Sequence, residues 1–302
     1  MKILLSLLIA LLLPILAWSQ TDPMLNHFMY HSNFYNPAAA GNTDDVFVGV
    51  LARQQWTGFD GAPSTQLLNA HAFVPKIKGG VGLTVLNDML GEERTTTARI
   101  NYAYRQRLGD DIRLSAGINF GIANYFVKGS ELRYQQTGDQ SAYNVQEGQV
   151  KADVGLGLEL YARGFTLGVA VSHLQKSLEN ATVFQNPRHY FAYARYDWKL
   201  SESWVLSPAV FFRNAGFISQ ADINVNATWN ERVVLGAIYR TTDDIAALLG
   251  VYVVKPLLLS YSFDFDFGEL RTNNSGSHEV SLIARFAGFK EKTQVVKSPR
   301  YY

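Results

Sequence analysis

The sequence predicts an all-β protein, a transmembrane antiparallel β-barrel of about fourteen strands with a periplasmic segment before and after it. Three observations lead to this prediction. Apolar and polar residues alternate with period two through many segments, most of which reach the ~9 to 11 residues that a tilted membrane strand needs. Short and long connections alternate along the chain. Aromatic residues make up 13% of the sequence, which suits a barrel with aromatic girdles.

Residues 1–19 have the pattern of a secretory signal peptide that is cleaved. Lys2 supplies the positive charge, residues 3–16 form the apolar core, and Ala17-Trp18-Ser19 is a small-x-small cleavage site before Gln20. The apolar run is shorter than the ~20 residues of a membrane-spanning helix, so a retained helix is the weaker interpretation. We therefore expect the mature protein to leave the cytoplasm.

The composition excludes several kinds of stabilisation and of partner. The chain has no cysteine, which rules out disulfides and thiolate metal sites. Its 27 basic and 26 acidic residues nearly cancel, so no overall electric field attracts nucleic acid. Nucleic acid is therefore not an expected partner.

The predicted barrel occupies residues 46–286, and the segment 112–122 shows its alternation clearly. The apolar side chains there are Ile112, Leu114, Ala116, Ile118, Phe120 and Ile122, and the intervening residues are Arg113, Ser115, Gly117, Asn119 and Gly121. Successive side chains of a strand point to opposite faces, so one face suits lipid and the other an enclosed interior. A soluble sandwich also alternates, but its strands are typically only ~5 to 6 residues long.

Turn-forming residues divide the barrel into fourteen predicted strands. These strands are 46–56, 66–75, 79–88, 94–108, 110–124, 150–162, 164–174, 189–199, 202–213, 220–229, 231–240, 245–254, 256–267 and 277–286. The last strand keeps its apolar alternation up to Phe286. Closing it against the first strand would leave no unpaired edge in the lipid, as a membrane-spanning sheet requires.

The connections between these strands differ in length in a regular way. Tight connections are predicted at 75–78, 108–110, 162–164, 200–202, 230–231 and 255–256, and long ones at 57–65, 89–93, 125–149, 175–188, 214–219 and 268–276, with 241–244 intermediate. Short periplasmic turns and long outer loops are typical of outer-membrane barrels with both termini in the periplasm. Residues 20–45 and 287–302 are therefore expected to lie outside the barrel, in the periplasm.

The polar strand faces predict a charged lumen. The charges expected there are Arg99, Arg105, Arg113, Lys151, Asp153, Glu159, Asp264, Asp266 and Arg285. Isolated buried charges are costly unless they are paired or hydrated, so a salt-bridged and watered interior is the first interpretation. A selective pore is the alternative, because barrels of this size can hold a channel or a plug.

No site for catalysis, metals or cofactors is predicted. The six histidines are scattered and show neither a His-Glu-x-x-His spacing nor a nucleophile elbow. A lipid hydrolase assembled around Asn69 and His71 is a third alternative, which requires a geometry that sequence does not establish. We therefore predict that the protein is not an enzyme and has no catalytic residue, no metal site and no cofactor.

Several motifs rich in Gly, Pro and aromatic residues stand where packing alone does not require them. Asn36-Pro37-Ala38-Ala39-Ala40-Gly41 precedes the first strand, and residues 53–66 (RQQWTGFDGAPSTQ) form the first outer hairpin. With residues 20–23 (QTDP), Gly80-Val81-Gly82 together with Asn87-Asp88, and residues 274–279 (NSGSHE), they make the chain resemble the PorP/SprF family of type IX secretion system outer-membrane proteins. The resemblance runs from the cleavage site to the C-terminus.

The resemblance implies a non-enzymatic barrel of the cell outer membrane that works in type IX secretion or gliding motility. Besides lipid, its implied partners are periplasmic lipoprotein ring components, a surface adhesin, or another secreted cargo with a C-terminal domain. The candidate partner-binding residues are Asp22, Pro23, Asn36, Pro37, Trp56, Phe59, Pro63, Pro299, Arg300, Tyr301 and Tyr302. Five of them are chosen because aromatic and Arg side chains are favoured interface anchors, namely Trp56, Phe59, Arg300, Tyr301 and Tyr302. An outer-membrane porin or small-solute channel is the alternative function.

Overall fold

The computed structural model describes residues 22–128, 146–175, 187–216, 218–242, 244–267 and 274–289, and in them it forms one antiparallel sheet. The strands are β1 (Val46–Gln54), β2 (Ser64–Val74), β3 (Gly79–Leu90), β4 (Glu93–Gly109), β5 (Ile112–Lys128), β6 (Gln146–Ala162), β7 (Phe165–Ser172), β8 (His189–Tyr196), β9 (Trp198–Lys199), β10 (Trp204–Asn214), β11 (Ser219–Trp229), β12 (Val233–Arg240), β13 (Asp244–Val254), β14 (Leu257–Asp266) and β15 (Ser277–Phe286). The sheet is closed, because β1 pairs with both β2 and β15.

The fifteen strand segments make a barrel of fourteen strands, since β8 and β9 are two parts of one strand. Ala209 of β10 pairs with Arg195 of β8, and Leu206 of β10 pairs with Trp198 of β9, so the register continues across Asp197. Pro208 lies in the interrupted stretch and has no backbone N–H to give to a ladder. The prediction of a closed antiparallel barrel of about fourteen strands is confirmed.

The exposure of side chains on this sheet is the reverse of that in a soluble protein. Ile100 is 68% exposed and Phe120 is 64% exposed, whereas the neighbouring Arg99, Asn101 and Asn119 are buried. A surface of contiguous apolar side chains suits lipid, and the polar side chains line an interior closed by the sheet itself. The alternation predicted for residues 112–122 has this orientation, with the apolar set outside.

Aromatic side chains gather where the strands meet the short turns. Trp204 and Trp229, at the ends of β10 and β11, have ring centroids 6.4 Å apart. The rings of Phe165 and Tyr196, at the ends of β7 and β8, stack at 4.2 Å. Such rings form the girdle that marks a membrane boundary.

The connections define two different ends of the barrel. At the end that we call the tight-turn end, the strand bounds leave residues 75–78, 110–111, 163–164, 200–203, 230–232 and 255–256. At the opposite, long-loop end they leave residues 55–63, 91–92, 129–145, 173–188, 215–218, 241–243 and 267–276. The predicted long connection at 89–93 is wrong, because Met89 pairs with Arg94 and a turn with Gly91 at φ +57° joins β3 to β4.

Residues 22–43, which we call the plug, lie inside the ring of strands. They contain a short α-helix at Ser32–Tyr35 and a 3₁₀-helix at Pro37–Ala39, which touches β3, β4, β5, β6 and β7. Among the described residues, no helix is long and apolar enough to cross a bilayer. The structure therefore differs from the expectation that the N-terminal segment stays outside the barrel. Its polar side chains replace water as partners of the polar lumen wall.

Candidate functional site

The plug is bonded to strands on all sides of the lumen. Asn26 Nδ2 donates to Ser262 Oγ of β14 at 2.9 Å, and Asn33 Nδ2 donates to Asn69 Oδ1 of β2 at 2.9 Å. On another side, Asn36 Nδ2 donates to the Leu158 carbonyl of β6 at 3.0 Å. Contacts in these different directions fix the plug within the barrel, so the plug–wall interface is the candidate functional site.

Glu279 of β15 is the centre of the first group of contacts, which we call the Glu279 cluster. Its Oε1 lies 2.6 Å from His27 Nδ1, and its Oε2 accepts a hydrogen bond of 3.0 Å from Arg53 Nη1 of β1. The backbone amides of Asn26 and His27 donate to the same carboxylate at 3.0 and 2.9 Å. One buried carboxylate thus binds the plug and the first strand together.

Further ion pairs extend the Glu279 cluster along the wall. Arg53 Nη2 lies 2.5 Å from Asp264 Oδ2, and Arg240 Nη2 lies 3.0 Å from Asp222 Oδ2. Arg240 also donates to Asn26 Oδ1 of the plug at 2.9 Å. Because these charges are almost fully buried, each depends on its partners in place of water.

The contacts of His27 have the same order of groups as a hydrolase triad. His27 Nε2 lies 2.8 Å from Ser260 Oγ, and His27 Nδ1 faces the Glu279 carboxylate. Ser260 is only 1% exposed under the plug, so a substrate carbonyl cannot reach its hydroxyl. Asn69 and His71, the pair considered for a hydrolase, also bind the plug, and His71 Nδ1 accepts from the Gly41 amide at 3.2 Å.

Asp22 is the centre of the second group, the Asp22 cluster, near the long-loop end. His173 Nε2 lies 3.1 Å from Asp22 Oδ2, and His189 Nε2 accepts from the Asp22 amide at 3.2 Å. Arg213 donates to the Asp22 carbonyl. Arg99 lies 3.9 Å from the Asp22 carboxylate and binds Asp153 at 2.5 Å.

The donor atoms of Asp22, His173 and His189 all lie within 4.8 Å of one another, a set that divalent metals accept in proteins. Here the neighbouring charges favour an ion-pair network over a metal site. Asp153 Oδ1 lies 3.0 Å from His173 Nδ1, so the imidazole stands between two carboxylates, and the Arg99 guanidinium adds a positive charge beside them. Ion pairing therefore accounts for the Asp22 cluster, which ties the beginning of the plug to β4, β6 and the ends of β7, β8 and β10.

Glycines of the wall let the backbone of the plug pack directly on the strands. A Cβ at Gly80 would overlap the Ala40 carbonyl, and one at Gly117 would overlap the backbone of Pro37 and Ala38. Gly41 has φ +60°, and a Cβ there would lie 2.7 Å from the Gly80 Cα. The motif at residues 36–41 and the Gly80-Val81-Gly82 motif therefore fit against each other.

The lumen charges predicted from sequence fall into three groups. Arg99, Arg105, Asp153, Glu159 and Asp264 are buried. The half-buried cations Arg113, Lys151 and Arg285 lie over the rings of Tyr161, Tyr125 and Phe47, at 4.3, 5.7 and 5.9 Å. For Asp266 only the strand backbone is described. Buried Glu159 accepts a hydrogen bond from the Tyr193 hydroxyl.

The predicted partner-binding residues do not form one surface. Asp22, Asn36 and Pro37 are buried in the plug and Pro23 is half-buried there, so the first three are not available to a partner while the plug is seated. Trp56 and Pro63 are half-buried and Phe59 is 47% exposed, all at the long-loop end. Residues 299–302 lie outside the described part of the chain.

The hairpin that carries Trp56 and Phe59 is tied to the start of β15. The Thr57 amide donates to the Gly276 carbonyl at 2.9 Å, and the Ser275 amide donates to the Thr57 carbonyl at 2.8 Å. The motifs at residues 53–66 and 274–279 are therefore in contact at the long-loop end. The same two motifs also meet inside the barrel, where Arg53 binds Glu279.

Sequence analysis did not single out His27, Arg53, Arg240 or Glu279 as site residues. A signal was available for two of them, because Arg53 and Glu279 stand on the inward-facing positions of β1 and β15. A charge at such a position calls for a partner inside the barrel.

Two solved structures show the same fold at low sequence identity. The Ralstonia pickettii toluene transporter TbuX has a TM-score of 0.52 and 8% identity, over 85% of this chain and 93% of that one. The CymD monoaromatic hydrocarbon channel has a TM-score of 0.55 and 9% identity, over 86% of this chain and 93% of that one. Both likenesses show the fold alone, which is that of an outer-membrane barrel.

No curated protein matches the sequence significantly. The family described as type IX secretion system membrane protein PorP/SprF, which is not an enzyme family, matches residues 17–283. This match includes the plug, all strands up to most of β15, and the motifs that join them. The chain therefore belongs to the PorP/SprF family of type IX secretion system membrane proteins and is a β-barrel of the outer membrane.

Proposed function

We propose that this protein is a closed adaptor of the type IX secretion machinery, which anchors other components at the outer membrane and does not conduct solutes. The observation that carries the proposal is the plug. It lies in the lumen and binds the wall through the Glu279 and Asp22 clusters. An interior held by buried ion pairs is costly to open, because each charge would lose its partner.

The two ends of the barrel suggest two kinds of partner. Short turns at one end and longer connections at the other support a tight-turn end in the periplasm. Periplasmic lipoprotein ring components would then meet the tight-turn end and the C-terminal segment with Pro299, Arg300, Tyr301 and Tyr302. A surface adhesin or another secreted cargo domain would meet the long-loop end, where Phe59 is exposed.

A porin or small-solute channel is the competing function, and planar lipid bilayers separate the two. The closed adaptor predicts little steady conductance from the purified protein. A variant without residues 22–43 should conduct, because its lumen has lost the plug. Steady conductance of the unaltered protein, similar to that of the variant, would reject the closed barrel.

The docking role of the C-terminal segment has a separate test. Removing residues 290–302 leaves every described strand intact, so the barrel should fold while pull-down of periplasmic ring components from native membranes is lost. A matched variant with Phe59→Ala should keep those partners and lose secreted cargo. Undiminished recovery of ring components without residues 290–302 would reject this segment as the docking element.

A further inference from the structure

The tight-turn end contains an open cavity of about 660 Å³, which we call the rim cavity. It lies where the plug leads into β1 at Asp44 and Asp45, and where the chain leaves β15 at Gly288 and Phe289. The end of β4 and the turn between β2 and β3 complete it. Its volume is within the ~300 to 1,000 Å³ of typical binding pockets.

Contacts between these segments hold the cavity in shape. Arg105 is the centre of its wall, because its guanidinium lies 4.0 Å from the centre of the Phe73 ring and its Nη1 donates to Asp44 Oδ1 at 2.9 Å. Its amide donates to the Lys78 carbonyl at 3.0 Å. Gly288 passes so close to Asp44 that a Cβ there would overlap the Asp44 carbonyl. The cavity is thus formed before any partner binds.

The charges around the cavity do not cancel. Arg105 is neutralised by Asp44, so the remaining charges of the lining are two cations, Lys78 and Arg107, and one acid, Asp45. Both cations are exposed, and within the described residues neither forms an ion pair. Phe289 adds an apolar side chain that is 60% exposed. Cations beside an exposed aromatic ring are complementary to a segment with both acidic and apolar side chains.

We propose that the rim cavity binds an extended acidic segment of a partner protein, whose carboxylates pair with Lys78 and Arg107 and whose apolar side chain packs on Phe289. This inference rests on the proposed function, because it needs a protein partner at the tight-turn end. It adds the place of docking and the chemistry of the docked segment.

Fluorescence anisotropy of the full-length protein in detergent tests the proposal with three labelled peptides. One alternates glutamate with phenylalanine, one glutamine with phenylalanine, and one glutamate with serine. Only the first should bind tightly. The double variant Lys78→Glu and Arg107→Glu should lower the affinity for the glutamate–phenylalanine peptide by about tenfold or more, because two attractive contacts become repulsive. Phe289→Ala should also lower the affinity for the glutamate–phenylalanine peptide. It should leave the weak affinity for the glutamate–serine peptide unchanged.

The matched control is the double variant Lys199→Glu and Arg232→Glu. It makes the same change of charge at exposed positions of the tight-turn end, away from the cavity, and should bind the first peptide normally. Equal losses in the two double variants, or tight binding of the glutamine peptide, would overturn the proposal. Displacement of the peptide by dihexanoyl phosphatidylglycerol at a lower concentration than unlabelled peptide would overturn it in favour of a lipid phosphate site.

The outcome is independent of the conductance test. An open pore that still binds the acidic peptide would reject the closed barrel and leave the rim cavity as a docking site. A closed barrel that binds none of the peptides would reject the rim cavity alone.

Discussion

Arg53 in the first strand donates a hydrogen bond from Nη1 to Glu279 Oε2 in the last strand, at 3.0 Å, and both side chains are fully buried. The same carboxylate holds His27 of the plug. One side chain therefore takes part both in the contact between the first and last strands and in the seating of the plug.

Glu279→Ala is expected to lower the free energy of unfolding by roughly 3 to 5 kcal/mol, because it leaves buried His27 and two backbone amides of the plug without their carboxylate and Arg53 with Asp264 alone. Urea titration in detergent micelles, followed by the gel mobility of folded and unfolded protein, measures this loss. Glu202→Ala, which removes an exposed carboxylate from a tight turn, is the control and should change little. Equal midpoints for the two variants would contradict the prediction.

Gly80→Ala is expected to push the plug away from the wall, because the new Cβ would overlap the Ala40 carbonyl. Overpacking of this kind typically costs ~1 to 3 kcal/mol. Hydrogen–deuterium exchange should become faster at the amides of residues 38–42. Gly109→Ala is the matched control, because nothing lies within 4 Å of its Cβ position. Unchanged exchange in the Gly80 variant would show that the plug does not pack there.

Phe120→Arg is expected to destabilise the barrel in lipid by ~2 to 4 kcal/mol, because the residue lies midway along β5 with its ring toward the membrane. Urea titration of the protein folded in phosphatidylcholine vesicles measures this cost. Phe120→Leu keeps the position apolar and should unfold near the same urea concentration as the unaltered protein. An Arg variant as stable as the Leu variant would place this face away from lipid.

Closure of the sheet can be tested with cysteines, because the chain has none of its own. Val50 of β1 and Leu282 of β15 are register partners, and Cα atoms of such partners lie within the range that a disulfide spans. The Val50→Cys and Leu282→Cys pair should cross-link under mild oxidation and change the mobility of the unfolded chain on a non-reducing gel. Val50→Cys with Leu235→Cys, on distant β12, should not. Failure of the first pair would indicate an open sheet.

The barrel could be predicted from sequence because its main constraint is repeated in every strand. Each strand must present apolar side chains to lipid at every second position, and this local pattern survives small errors of boundary. The predicted fifth strand ends at residue 124, whereas β5 continues to Lys128, and this difference has a physical cause. Tyr125 and Val127 face inward and pack with Ala123, so the polar inner face ends before the strand does.

The plug could not be predicted in the same way. Its side chains follow no period, and their partners are far away in sequence, at a separation of 252 residues from His27 to Glu279 and of 191 from Asp22 to Arg213. A segment rich in Asn, Pro, Ala and Gly looks like a linker until its partners are known. The glycine motifs are visible in the sequence, but glycine is needed there because the plug backbone packs directly on the strands. A single sequence does not show which two segments come into contact.

The position of Glu279 in the final strand also restricts how the protein can be made. Until that strand is synthesised and aligned, His27 lacks the carboxylate it contacts and Arg53 has only Asp264 of β14, so a truncated chain leaves both open to competing contacts. The pairing of the last strand with the first therefore also supplies a contact that holds the N-terminal segment. A prematurely ended chain keeps the residues of the Asp22 cluster but lacks the link between the N-terminal segment and the last strand, which gives quality control a clear difference between finished and unfinished molecules.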